Sequence, residues 1–219
     1  MPAAAGEAEA VPAPRARSRR AAPRVGLLAL QGDFERHGAM LGRLGAEARR
    51  VSLPSHMDGL DALVMPGGES STMLRLLEAT GLRRPVEVFV RTKPVLGTCA
   101  GLILLATGAD RLPLPTFGVL DIDATRNAYG RQIHSFTDAV DVPVLGGRFH
   151  GVFIRAPRIT RVGPGVEIIA RHDGEPVGVR QGRAVAIAFH PELTDDVRLH
   201  LWFLRDVAGL AVQADGGAA

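Results

Sequence analysis

One stretch, residues 93–106, constrains this chain more than any other: Lys-Pro-Val-Leu-Gly-Thr-Cys-Ala-Gly-Leu-Ile-Leu-Leu-Ala. It holds the only cysteine, Cys99, between Gly97 and Gly101 as Gly-x-Cys-x-Gly. Val95-Leu96, opened by Pro94, reads as a short strand, and the apolar run after the cysteine begins a buried helix. Strand, sharp turn and helix with a reactive side chain at the corner match the nucleophile-elbow pattern, sulfur replacing oxygen. The cramped backbone of such a corner demands small neighbours, and Gly97, Ala100 and Gly101 supply them. A thiol at a helix N-terminus also meets unpaired N–H groups and a dipole that favour the thiolate. A lone cysteine is ordinarily buried and inert; here the flanking glycines decide for a nucleophile.

The surroundings of this corner read as an α/β fold. Residues 25–30 form a continuous apolar run, as expected of a strand covered on both faces of a parallel sheet. Gln31-Gly32-Asp33 then turns the chain into a helix, with Asp33 as a cap. Phe34, His37, Met40, Leu41 and Leu44 fall at helical spacing. Strands follow at 48–53 and 61–65, the second leading through Pro66-Gly67-Gly68-Glu69-Ser70-Ser71 into a helix that stops near Gly81. A short helix around 86–90 precedes the elbow. Strands alternating with helices predict a largely parallel central sheet flanked by helices, with ligands at the C-terminal strand ends, where the Pro-Gly-Gly loop and Cys99 both lie. From 117 to 189 the pattern changes to short alternating runs at 119–123, 140–144, 149–154, 166–170 and 176–181, closely punctuated by Gly and Pro. These predict antiparallel strands added to the same domain. Residues 184–189 are a further buried strand, and an amphipathic helix follows from about Thr194.

Charge excludes one class of function. The net charge is +3, but residues 1–24 hold five of the 26 basic and two of the 23 acidic residues, leaving 21 of each. The remainder has no basic surplus for phosphates, so no nucleic-acid partner is expected. That Ala/Pro/Arg-rich leader has almost no large apolar side chains and is expected to be disordered, as is a flexible tail at 211–219. Residues 25–210 are expected to form a single domain. No apolar run approaches the roughly 20 residues of a membrane span, so no membrane is expected, and a lone cysteine fits a reducing, cytoplasmic setting.

A cysteine nucleophile needs a base, and the base needs orienting. His190 directly follows the buried strand at 184–189 and should emerge at the same sheet edge as Cys99. Pro191 keeps it extended, and residues two apart in an extended segment face the same way, which places Glu192 beside it. The other six histidines, His37, His56, His134, His150, His172 and His200, are spaced unlike a zinc site and read as structural; no metal is expected. Acyl transfer creates an oxyanion that needs donors. The elbow offers the Ala100 N–H, and the Gly67-Gly68 backbone at the same edge can offer another.

These residues carry a resemblance. Gly-Thr-Cys99-Ala-Gly with His190-Pro-Glu192 resembles the triad, or class I, glutamine amidotransferases. Within them the chain is similar to the family of glutaminase subunits of pyridoxal 5'-phosphate synthase. The matching stretches are 30–37 (L-Q-G-D-F-E-R-H), 66–73 (P-G-G-E-S-S-T-M), 97–106, 126–132 (R-N-A-Y-G-R-Q), 151–157 (G-V-F-I-R-A-P) and 189–194 (F-H-P-E-L-T). The third and the last are generic to triad glutaminases; those at 126–132 and 151–157 point to the vitamin B6 enzyme. The resemblance implies a flavodoxin-like glutaminase fold and hydrolysis of L-glutamine through a Cys99 thioester, with His190 and Glu192 completing the triad. It implies a glutamine site formed by Gly68, Glu69, Ser70, Arg126, Ile154 and Arg155. An arginine fork suits the α-carboxylate, and Glu69 suits the α-ammonium. It implies no cofactor. It also implies a partner synthase subunit that receives ammonia through a tunnel, uses ribose 5-phosphate and glyceraldehyde 3-phosphate, and switches the glutaminase on when docked, with the Gly67-Gly68 peptide reordering.

Other readings share part of the pattern. One is a triad glutaminase serving another synthase, such as that for imidazole glycerol phosphate. A second is a non-catalytic regulator with a vestigial site, against which an intact triad speaks. A third is a cysteine hydrolase or stress protein of similar topology, which would lack His-Pro-Glu and the stretch at 126–132.

Overall fold

The computed structural model describes residues 21–126 and 135–212. The chain runs β1 (Arg24–Leu28), α1 (Phe34–Arg43), β2 (Glu47–Val51), β3 (Ala62–Met65), α2 (Ser70–Ala79), α3 (Arg83–Thr92), β4 (Val95–Thr98), α4 (Ala100–Leu105), β5 (Ala106–Ala109), β6 (Leu120–Thr125), β7 (Phe136–Val142), β8 (Gly147–Phe153), β9 (Arg158–Val162), β10 (Glu167–His172), β11 (Glu175–Gln181), β12 (Ala184–Ile187) and α5 (Arg198–Trp202). Short 3-10 turns lie at Pro54–Met57, Pro143–Leu145 and Pro191–Leu193, and a π-helical turn, Phe203–Val207, extends α5. Residues 1–20 of the leader, 213–219 of the tail, His134 and all of the 126–132 stretch except Arg126 lie outside the described residues.

One sheet of nine strands runs β2-β1-β3-β4-β12-β11-β10-β7-β8. Its first five strands pair in parallel and the rest antiparallel. Apart from the edge strand β2, whose Glu-Ala-Arg-Arg-Val is mostly polar and exposed, the parallel strands are apolar runs, and every residue of β3, β4 and β12 is buried. Each fully buried Val, Leu or Ile there contributes about 1.5–3 kcal/mol relative to exposure. α1 packs on β1 and β2, and α4 on β4 and β12. All six residues of α4 are buried, so this helix is apolar all round.

The second half departs from the sequence expectation in three ways. The added strands do not all join the main sheet: β6 and β9 pair antiparallel in a separate three-stranded sheet, completed by an unexpected strand β5 that pairs parallel with β6. β9 was not expected at all; its Arg-Ile-Thr-Arg-Val sequence carries too few apolar residues to stand out. The last helix starts at Arg198, because Pro191–Leu193 forms its own turn first. Smaller shifts also occur. α3 is ten residues long rather than a short helix around 86–90, and β1 begins at Arg24, inside the expected leader.

Four loops gather at the C-terminal rim of the parallel strands: 29–33 after β1, 66–69 after β3, Cys99 after β4, and 188–192 after β12. Close packing there depends on missing side chains. A Cβ on Gly97 would lie 2.6 Å from the Gly101 carbonyl carbon, and one on Gly101 would overlap the Met65 carbonyl oxygen. By contrast, a Cβ on Gly42, in the last turn of α1, would meet nothing within 4 Å. Gly101→Ala should therefore lose about 1–3 kcal/mol in denaturant unfolding through overpacking. Gly42→Ala should be neutral or gain up to about 1 kcal/mol from helix propensity. Equal effects of the two substitutions would contradict this packing.

Candidate active site

Cys99 stands at the corner between β4 and α4 with φ 48° and ψ −101°. A non-glycine residue held there costs about 1–3 kcal/mol. The corner is pinned from the neighbouring strand, since the Cys99 N–H donates to the Ile187 carbonyl at 2.9 Å. Ala100 is the first residue of α4, so its N–H has no acceptor within the helix.

The chain leaving β12 is pinned as well: the His190 N–H donates to the Val152 carbonyl of β8 at 2.8 Å. His190 is extended, with φ −109° and ψ 90°, but Pro191–Leu193 then closes into a 3-10 turn. Glu192 thus reaches His190 through a turn rather than along an extended segment, which corrects the reason given by the sequence while leaving the pair intact. His190 Nδ1 donates to Glu192 Oε1 at 2.7 Å, which leaves Nε2 as the nitrogen available to the thiol. Nε2 forms no aligned hydrogen bond among the described residues, and Cys99 Sγ leans instead toward the Ile154 carbonyl oxygen at 3.8 Å. Contacts of this kind commonly tighten only with substrate bound.

The electrostatics favour a charged base. Burial works to lower the His190 pKa, but the neighbouring Cys99 thiol and the Glu192 carboxylate outweigh it and raise it well above the ordinary value. Burial likewise opposes ionisation of Glu192, yet His37 opposite and the bond from His190 hold its pKa below the usual carboxylate range.

These groups border a cleft of about 320 Å³, at the small end of metabolite sites. Of the residues the sequence singled out, Gly67, Gly68, Glu69, Ser70, Cys99, Arg126, Ile154, Arg155 and His190 line it. Glu192 lies behind His190, 2% exposed, and Ala100 is buried within α4. Gly32, Asp33 and Ile103 also line the cleft and were not singled out. Asp33 occupies the N-cap position of α1 but makes no capping bond with its side chain. The two glycine loops touch: a Cβ on Gly32 would overlap the Gly67 carbonyl oxygen, and one on Gly67 would overlap the His190 ring.

Glu69 is more occupied than the sequence suggests. It caps α2, accepting the Ser71 N–H at 3.1 Å, the Thr72 N–H at 2.7 Å and the Thr72 hydroxyl at 2.6 Å. Arg126 Nη2 donates to it at 2.6 Å, which fills the four acceptor positions of a carboxylate. The arginine and the glutamate proposed to share a zwitterion are therefore paired with each other in this structure. Arg155 is exposed at φ 44° and has no ion-pair partner among the described residues. Burial raises the Glu69 pKa, but the bonds from Thr72 and Ser71 bring it down to about 2.

Comparison with known proteins gives a consistent answer. The model of the SNO glutamine amidotransferase family matches residues 27–209. The chain is 47% identical over 186 residues to pyridoxal 5'-phosphate synthase subunit PdxT of Thermotoga neapolitana, covering 84% of this chain and 99% of that one. It is 50% identical over 184 residues to the protein of the same name from Koribacter versatilis, covering 84% and 95%. A crystal structure of a glutamine amidotransferase superposes with a TM-score of 0.80 at 49% identity, covering 85% of this chain and 99% of that one. The PurLQS structure from Thermotoga maritima, 17% identical with a TM-score of 0.66, shares the fold.

The Glu69 carboxylate predicts a pH signature in stability. Its pKa is lowered on folding from 4.5 to about 2, so its stabilising contribution is full above 4.5 and disappears as pH falls toward 2. The melting temperature of Glu69→Gln should thus lie below that of the wild type at neutral pH, with the gap closing over that acid range. A gap independent of pH would contradict the ionised cap.

Proposed function

We propose that this chain, which belongs to the SNO glutamine amidotransferase family, is the glutaminase subunit of a pyridoxal 5'-phosphate synthase. The observation that carries this reading is the 47–50% identity to relatives of that name over 95–99% of their own length. The His190–Glu192 pair beside a strained cysteine supports it.

His190 holds the proton ceded by Cys99, as the electrostatics of the pair favour, and the sulfur attacks the side-chain amide carbon of L-glutamine. The tetrahedral intermediate collapses as His190 returns that proton to the amide nitrogen. The C–N bond breaks, ammonia leaves and a γ-glutamyl thioester remains. Water then loses a proton to His190 and attacks the thioester. The C–S bond breaks, glutamate departs and the thiol is restored. Glu192 stays ionised throughout, fixing the His190 tautomer and stabilising its cation. Backbone N–H groups of Ala100 and of the Gly67-Gly68 loop would hold the oxyanion, each such donor being worth about 10²–10³ in rate. Gly68, Glu69, Ser70, Arg126, Ile154 and Arg155 would form the glutamine site. Arg155, with no partner among the described residues, suits the α-carboxylate. Glu69 receives the α-ammonium only if Arg126 gives up its place.

Ammonia released into water becomes ammonium and is no longer a nucleophile, so the product must pass directly to the partner synthase subunit. That subunit would build pyridoxal 5'-phosphate from ribose 5-phosphate and glyceraldehyde 3-phosphate. The activity belongs to a single domain of residues 25–210 and to the cytoplasm, whose reducing conditions preserve a thiol nucleophile.

Mixing the chain with a purified synthase subunit should switch on glutamate release. Cys99→Ala should lower that release by about 10³-fold or more, leaving the complex assembled and its pyridoxal phosphate synthesis restorable by ammonium salts. An assembled Cys99→Ala complex that still hydrolyses glutamine, or that ammonium fails to rescue, would refute the assignment.

A further inference from the structure

His37 is fully buried, and no step of the proposed reaction uses it. It belongs to α1, which packs against the Pro191–Leu193 turn. His37 Nε2 lies 3.3 Å from Glu192 Oε2 and 3.3 Å from Thr98 Oγ1. Its Nδ1 lies 2.9 Å from Nε2 of His200 on α5. Glu192 Oε1 is taken by His190, whereas Oε2 has no aligned hydrogen bond among the described residues and faces His37. His200 Nδ1 is buried and also lacks a partner among them.

These distances select one tautomer. If His200 Nε2–H donates to His37 Nδ1, then His37 carries its proton on Nε2, where Thr98 Oγ1 can accept it and Glu192 Oε2 faces it at 3.3 Å without an aligned bond. Each N–H of the pair then faces an acceptor, and the one partnerless atom, His200 Nδ1, is a bare lone pair. In the reverse order His37 Nδ1–H donates to His200 Nε2. The His200 proton would then sit on buried Nδ1 with no acceptor among the described residues, and the His37 lone pair, though within reach of the Thr98 hydroxyl, would also face a carboxylate oxygen. A buried donor without an acceptor and two opposed lone pairs are both costly. Both rings are neutral. Burial drives the His37 pKa down against the pull of Glu192 and Asp33, and drives that of His200 down to about 3 against Glu192 and Asp196. A neutral His37 acts on Glu192 through its N–H dipole rather than as a cation.

We propose that His37 is a positioning residue for the triad: its Nε2–H, seated between Thr98 Oγ1 and Glu192 Oε2, presents a positive dipole to Oε2 so that Oε1 stays on His190, with His200 fixing the His37 tautomer. The inference rests on the glutaminase reading for its role and deepens it. The titratable groups facing Glu192 are His190 from its own turn, His37 from α1 and His200 from α5; Cys99 reaches it through His190. His37 is absent from the cleft wall, so its loss should spare substrate binding. It should instead leave a buried carboxylate oxygen bare and raise the pH at which Glu192 takes a proton.

Nitrogen NMR of the wild-type chain labelled in histidine tests the tautomer without a substitution: His37 and His200 should both be neutral and protonated on Nε2 between pH 6 and 8. Two variants then test the role. His37→Gln can keep an N–H near the Nε2 position, and His37→Leu removes it. The acid limb of Cys99 alkylation by iodoacetamide in the isolated chain should move up by about 1–2 pH units in His37→Leu and return in His37→Gln. In the synthase complex, kcat for glutamine should fall about 10- to 100-fold in His37→Leu, with KM within about twofold, and largely recover in His37→Gln. A His37 proton on Nδ1, an unmoved limb, or a His37→Gln as impaired as His37→Leu overturns the proposal, and the tautomer alone decides it if His37→Leu does not fold. A wild-type complex inert toward glutamine whose alkylation limb still responds to His37 would sink the glutaminase reading and leave the positioning role standing.

Discussion

The parallel pairing of β4 with β12 is the constraint on which the site depends. Ile187 stands opposite Thr98 in that register, and the next residue, Cys99, donates its N–H to the Ile187 carbonyl. Two strands far apart in sequence thereby end at one rim, and the thiol and the imidazole leave the sheet side by side. An antiparallel pairing would send them to opposite ends. A one-residue slip would turn buried side chains outward, and every residue of both strands is buried. The apolar core and the reactive geometry are therefore set by the same hydrogen bonds.

Around that rim the chain trades side chains for proximity. Gly32 admits the Gly67 carbonyl, Gly67 admits the His190 ring, and Gly101 admits the Met65 carbonyl. Cys99, although not a glycine, accepts a positive φ instead. The strain is held in place by buried strands on both sides and by α4, which is buried on every face. Polar groups at the rim are just as tightly committed. Glu69 is at once a helix cap and the partner of Arg126, so a substrate group that engaged either would have to displace existing bonds.

Much of this was legible in the sequence because each local signal was strong. Continuous apolar runs at 25–30, 62–65 and 184–189 mark strands covered on both faces, and Gly-x-Cys-x-Gly marks a corner only small residues tolerate. The His190–Glu192 pair was legible for a partly wrong reason: the spacing of two works through a 3-10 turn. What escaped was tertiary. β9 is a charged strand in a small separate sheet, with no pattern of its own. The Arg126–Glu69 pair joins segments whose contact no spacing reveals. His37 falls at the apolar positions of α1 with Phe34, Met40 and Leu41, where a histidine reads as core filler. Only the packing of α1 on the Pro191–Leu193 turn brings it to Glu192.

The central claim is that Cys99, activated by His190 and Glu192, is the nucleophile that attacks glutamine. It is tested most directly by intact-mass analysis and peptide mapping after exposure of the synthase complex to a glutamine analogue bearing a diazoketone in place of the side-chain amide. The account predicts one adduct per chain, on Cys99, suppressed by excess glutamine and formed far more slowly in His190→Asn. An adduct elsewhere, or one on Cys99 that forms at an undiminished rate without His190, would contradict it.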